Sequence, residues 1–168
     1  MRTFALAIVL FAANANAQDI TVQFFDGAPK DSITVINSAC LISNATLVLD
    51  LTGSNGGLIF DVTNAGAGVE VSQPVEVTSG FATLSPVRDG DKQLQIVLES
   101  LPTGEPLSLT ADLDDTLIES GQTRVSGSEM AGASISLTLA NRVLTGQFNE
   151  NGAARITLPP DLNPCVHS

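Results

Sequence analysis

The residues best placed to do chemistry are four in a row, Asp112-Leu113-Asp114-Asp115. On a strand, Asp112 and Asp114 point to the same side, because side chains alternate. Neighbouring carboxylates repel, and a hard cation such as calcium, which takes oxygen ligands, relieves that cost. Asp89 and Asp91 lie in the turn before the preceding apolar run and can supply further oxygens. Calcium at Asp112, Asp114, Asp89 and Asp91 is therefore the one cofactor the sequence suggests. A solvated acidic surface explains the same residues. A pair of glycosidase carboxylates is a sharper reading, but it lacks the aromatic walls that sugar subsites use.

Other chemistries have little to work with. The single histidine is His167, one residue from the end and beyond Pro159, Pro160 and Pro164. No Cys-x-x-Cys, His-Glu-x-x-His or Walker pattern occurs. The glycine clusters at 53–57 and 66–68 precede no helix, so they lack the positive helix end that binds phosphate. They read as turns. No catalytic residue is expected, and the chain reads as a non-enzyme.

Cys40 and Cys165 are the only cysteines. An even count in an exported chain favours a disulfide. The export signal itself is at the amino terminus. Arg2 supplies a positive start, residues 4–13 form an apolar run, and Asn14-Ala15-Asn16-Ala17 offers an A-x-A site. The run is too short for a bilayer-spanning helix, which takes about 20 residues. Cleavage between Ala17 and Gln18 is expected, giving a secreted or periplasmic product without a membrane span.

Without its leader the chain has 6 basic and 18 acidic side chains, a net of −12. Such a field repels nucleic acid and anionic lipid, so neither is an expected partner. The chain contains no Trp and no Tyr. That disfavours a carbohydrate module built on aromatic stacking. The expected partner is an extracytoplasmic protein or a cell-surface glycan.

Alternation organises what remains. Ile20, Val22 and Phe24 share one face, as do Ile33 and Val35, and Leu47, Leu49 and Leu51. Leu94, Ile96 and Leu98 repeat the pattern, followed by Leu107, Leu109, Ala111 and Leu113, and then Ile135, Leu137 and Leu139. Glycine-, Asn- and Pro-rich turns separate these runs at intervals of about 8–12 residues. Pro74 marks its segment as an edge or a bulge. Residues 114–128 read as a long loop, and 149–152 as a hairpin turn. No mature segment shows a sustained helical period. The expected fold is all-β, a single antiparallel β-sandwich of immunoglobulin-like or jelly-roll-like type with about nine or ten strands; a closed barrel is the alternative. The divisions are 1–17 leader, 18–158 sandwich and 159–168 Pro-rich tail.

Three stretches, DGAPKDSITVIN (26–37), GLIFDVTNAGAGVEVSQP (57–74) and VRDGDKQLQIVLESLPTGEPLSLTADLDDT (87–116), resemble the aggregation factor core protein-like exported bacterial family. The third is also similar to adhesion- and anchor-type modules of bacterial surface proteins. The resemblance implies an extracellular, adhesion-type or matrix-type role. The leading expectation is a secreted non-enzymatic interaction or structural domain. A periplasmic envelope accessory subunit or chaperone-like binding protein is the alternative, and a hydrolase the weakest.

Overall fold

A computed structural model describes residues 19–66, 71–117, 124–162 and 165. The leader, its cleavage pair Ala17–Gln18 and His167 lie outside the described residues. Two five-stranded antiparallel sheets form the sandwich. The first has the order β12 (Ala153–Thr157), β1 (Asp19–Phe25), β2 (Asp31–Asn37), β8 (Pro106–Ala111), β5 (Glu76–Ser79). The second runs β11 (Arg142–Gln147), β10 (Ser134–Leu139), β3 (Ile42–Asp50), β7 (Gln93–Leu101), β6 (Thr83–Leu84). A two-stranded ribbon of β4 (Ile59–Phe60) and β9 (Leu113–Asp114) lies beside them.

The core follows from the alternation. Ile20, Val22, Phe24, Ile33, Val35, Leu107 and Leu109 come from the first sheet, and all are buried. Leu47, Leu49, Leu94, Ile96, Leu98, Ile135 and Leu137 come from the second and are buried as well. Their intervening partners face outward, so each strand contributes one apolar face to the space between the sheets.

Four details depart from expectation. Twelve strands are present among the described residues, because β4, β6 and β9 are two-residue pairings too short to show a period. Residues 114–128 are not all loop. Gly127–Met130 form a short helix, α1, closed by a capping box between Ser126 and Glu129. The 149–152 turn is present, with the Asn149 N–H bonded to the Ala153 carbonyl at 2.9 Å. It joins β11 to β12, however, and so passes from one sheet to the other. The Pro-rich tail is not wholly irregular, since Pro160–Leu162 make a 3-10 turn.

Edge strands needed managing. β5 and β6, consecutive in the chain, are each an edge strand of one sheet. Both are short, and β5 carries a register shift between Val77 and Ser79. Pro74 lies just before β5. Short, bulged edges resist adding another strand.

Candidate functional site: an acidic cluster at the β4–β9 ribbon

The ribbon's pairing sets the site. Ile59 lies opposite Asp114 and Phe60 opposite Leu113, and the Asp61 N–H donates to the Asp112 carbonyl at 3.0 Å. Phe60 and Leu113 turn into the core. Alternation then places Asp61, Asp112 and Asp114 together on the other side. Like charges opposite one another destabilise a ladder, so this face is strained unless something positive or a proton intervenes.

Burial sharpens the conflict. Asp61 is only 2% exposed. Its carboxylate is so closely wrapped by the following loop that a Cβ at Gly66 would stand 1.4 Å from Oδ1. Only glycine fits there. Desolvation by burial, then the neighbouring Asp61, raise Asp112 to about 6; the Lys30 ammonium works the other way. Asp114 is also raised to about 6, first by burial and then by its hydrogen bond to Asp61 and the charges of Asp61, Asp112 and Asp115. Asp31, at the start of β2, is pushed up to about 7, chiefly by burial, and Asp112 and Asp26 add to the rise. Hydrogen bonds from the backbone of Gly27 and Leu113 partly offset it.

Gln73 closes the cluster from the segment before β5. It is 5% exposed, and its Nε2 donates to Asp112 Oδ2 at 2.8 Å. Its backbone N–H is fixed on the Val62 carbonyl at 3.0 Å. The other half of the amide, Oε1, is buried without a hydrogen-bond partner, and so is Asp114 Oδ2. Lys30 comes near but is committed elsewhere, its Nζ lying 2.6 Å from Glu76 and 2.8 Å from the Pro74 carbonyl.

The four aspartates expected from the sequence divide. Asp112 and Asp114 do share a face. Asp89 reaches the edge of the cluster, where it accepts from the backbone N–H groups of Val62 at 2.7 Å and Thr63 at 2.9 Å, and from the Thr63 hydroxyl. The Thr63 hydroxyl, Val62 backbone and Asp61 bonds outweigh burial and hold Asp89 below the usual range. Asp91 instead closes its own turn, accepting from the Arg88 N–H at 2.8 Å. Asp61, Gln73 and Asp31 were not expected. Asp61 stood in the sequence directly after an apolar run, but its neighbour Asp112 is distant in sequence, and no local pattern announces such a pairing. Among the described residues, no three Asp, Glu, His or Cys side chains are already arranged to hold a metal ion.

Two further features bear on function. Cys40 and Cys165 form the expected disulfide, with S–S 2.01 Å and Cα–Cα 5.2 Å. The second is a surface groove of about 350 Å³ beside the β5–β6 corner, lined by Phe81, Leu101, Pro102, Pro106 and Leu107. No family model, curated protein or solved structure matches the chain.

Proposed function

We propose that this chain is an extracytoplasmic, non-enzymatic interaction module of the adhesion or matrix type, and that its partner is a protein. The observation that carries the reading is Phe81. It is 82% exposed and lines the groove at the β5–β6 corner. Gly80 puts it there. With φ at +79° and a Cβ position only 3.2 Å from Leu107, residue 80 is suited to glycine, and the turn throws Phe81 outward. An aromatic side chain left in water beside a groove that Leu and Pro line together with Ser79, Ser100 and Glu105 gains by burial against a partner. A lone phenyl ring has no polar handle, which favours a protein partner over a glycan.

The compartment rests on the disulfide, since such bonds persist in oxidising surroundings, and on the leader. Amino-terminal sequencing of the exported protein is expected to begin at or near Gln18; intact Met1 on the exported form would overturn the leader. No described helix is long and apolar enough to cross a membrane.

The partner is tested by passing a cell-envelope extract over the immobilised mature protein and over Phe81→Ser. Because Phe81 is exposed, the substitution should change stability by no more than about 0.5 kcal/mol. The native chain is expected to retain a protein that the variant loses by tenfold or more. Equal retention by both, or none by either, overturns the role given to Phe81.

A further inference from the structure

We infer that Asp112, Asp114 and the Gln73 amide oxygen, backed by Asp61, bind a calcium ion between the β4–β9 ribbon and the segment preceding β5. Two independent observations meet there. Pairing in the ribbon forces three carboxylates onto one face. Separately, Gln73, 5% exposed and held against Asp112 by its Nε2, carries in the same amide a buried acceptor oxygen with no hydrogen-bond partner. Asp114 Oδ2, on the same face of the ribbon as Asp112, is a second buried acceptor without a hydrogen-bond partner. Without a shared proton acceptors cannot satisfy acceptors, and leaving such groups buried and unpaired costs about 1–3 kcal/mol each. A cation answers all of them together.

The donor set selects the ion. Every donor is a carboxylate or amide oxygen, and neither thiolate nor imidazole is present in the cluster. That is a hard-ion set. Calcium takes 6–8 oxygens in flexible geometry, whereas magnesium demands near-octahedral order. Here the ligands come from a strand pair and a separate segment, so a tolerant ion fits better. Since no three of the acidic side chains are already arranged around one point, binding draws them inward, and water completes the shell. The site is consequently weak, in the range of about 10⁻⁴–10⁻³ M typical of extracellular modules. It stands apart from the Phe81 groove and does not depend on which partner that groove meets.

The test is thermal unfolding of the mature protein in EDTA and in about 10 mM CaCl₂, with NaCl added to match ionic strength. Circular dichroism is the readout, since Trp and Tyr are absent. A dissociation constant near 1 mM gives a rise in Tm of about 3–6 °C. Asp114→Asn is expected to melt above the native protein in EDTA, because a buried repulsion is gone, and to lose the calcium response. Asp91→Asn, altered only in the 88–91 turn, is expected to keep it. MgCl₂ at the same concentration should give less than half the shift. The inference is overturned by an unchanged native Tm, which would leave the acceptors to water or protons. It is equally overturned by a shift that survives in Asp114→Asn, by its loss in Asp91→Asn, or by an equal shift with magnesium.

Discussion

In EDTA, raising the pH from about 5 to about 8 should destabilise this protein, the reverse of the usual behaviour of an acidic domain with paired carboxylates. Asp31 has its folded pKa raised from 3.8 to about 7, and Asp112 and Asp114 theirs from 3.8 to about 6. Between the unfolded value near 4 and these folded values, the native chain holds protons that the unfolded chain has released. Stability must then fall as pH rises through that window. Asp31 dominates, because it is only 3% exposed. A rise of about three units corresponds to about 4 kcal/mol, an upper figure. Asp112 and Asp114 are partly exposed, and solvent screening reduces their share.

The opposing groups act elsewhere on the pH scale. Asp50, held low chiefly by Thr52, and Asp89, held low chiefly by Thr63, contribute stability that is lost only when pH falls below the ordinary carboxylate range. The stability maximum is therefore expected between about pH 4 and 5. Denaturant titrations in EDTA at about one-unit intervals would show it. In Asp31→Asn the proton uptake on folding across the window should drop by about one. A profile that is flat, or that climbs toward pH 8, would mean that these carboxylates are solvated as fully in the folded chain as in the unfolded one.

The sandwich was legible because its strands are amphipathic at period two. Ile20, Val22 and Phe24, or Leu94, Ile96 and Leu98, announce their buried face without any knowledge of the partner strand. The helix α1 escaped the sequence reading: at four residues it is too short to show a period, and its capping box at Ser126 and Glu129 stands in Ser- and Gly-rich surroundings that read as loop. What a linear reading could not supply is the pairing of residues far apart. Asp112 and Asp114 could be placed on one face by local alternation. That Asp61 would lie against them, and that Gln73 would cover them, depends on β4 meeting β9 through one short ladder. Two-residue strands carry no periodicity. Asp89 and Asp91, two residues apart, looked interchangeable in sequence; the turn separates them, committing Asp91 to Arg88 and leaving Asp89 beside the 62–63 backbone.

Removing the disulfide should produce the other large effect. Cys40 lies in the connection between β2 and β3, and Cys165 lies 125 residues later, beyond the 3-10 turn at Pro160–Leu162. The connection is already rigid. Asn37, fully buried, donates to the carbonyls of Cys40 and Leu101 at 2.9 Å each and accepts from the Ala39 N–H at 2.8 Å. The Cys40 N–H lies 3.0 Å from Cys165 Sγ. The final strand, β12, pairs with β1 rather than β2, so the bond reaches past its own neighbour to anchor the tail. Without it, the tail beyond β12 keeps Leu158, which is buried, and an exposed ion pair between Arg142 and Asp161. Exposed pairs contribute at most about 1 kcal/mol. Closing a loop of this length removes unfolded-state entropy equivalent to about 4–5 kcal/mol in the chain-entropy model, an upper figure. Cys40→Ser/Cys165→Ser is therefore expected to lose a few kcal/mol in denaturant unfolding while keeping its β-sheet circular dichroism, because the core residues of both sheets are untouched. Non-reducing peptide mapping of the exported protein should recover one pair joining the two cysteines. Free thiols titrating in the native exported protein, or a double variant as stable as its parent, would refute the staple.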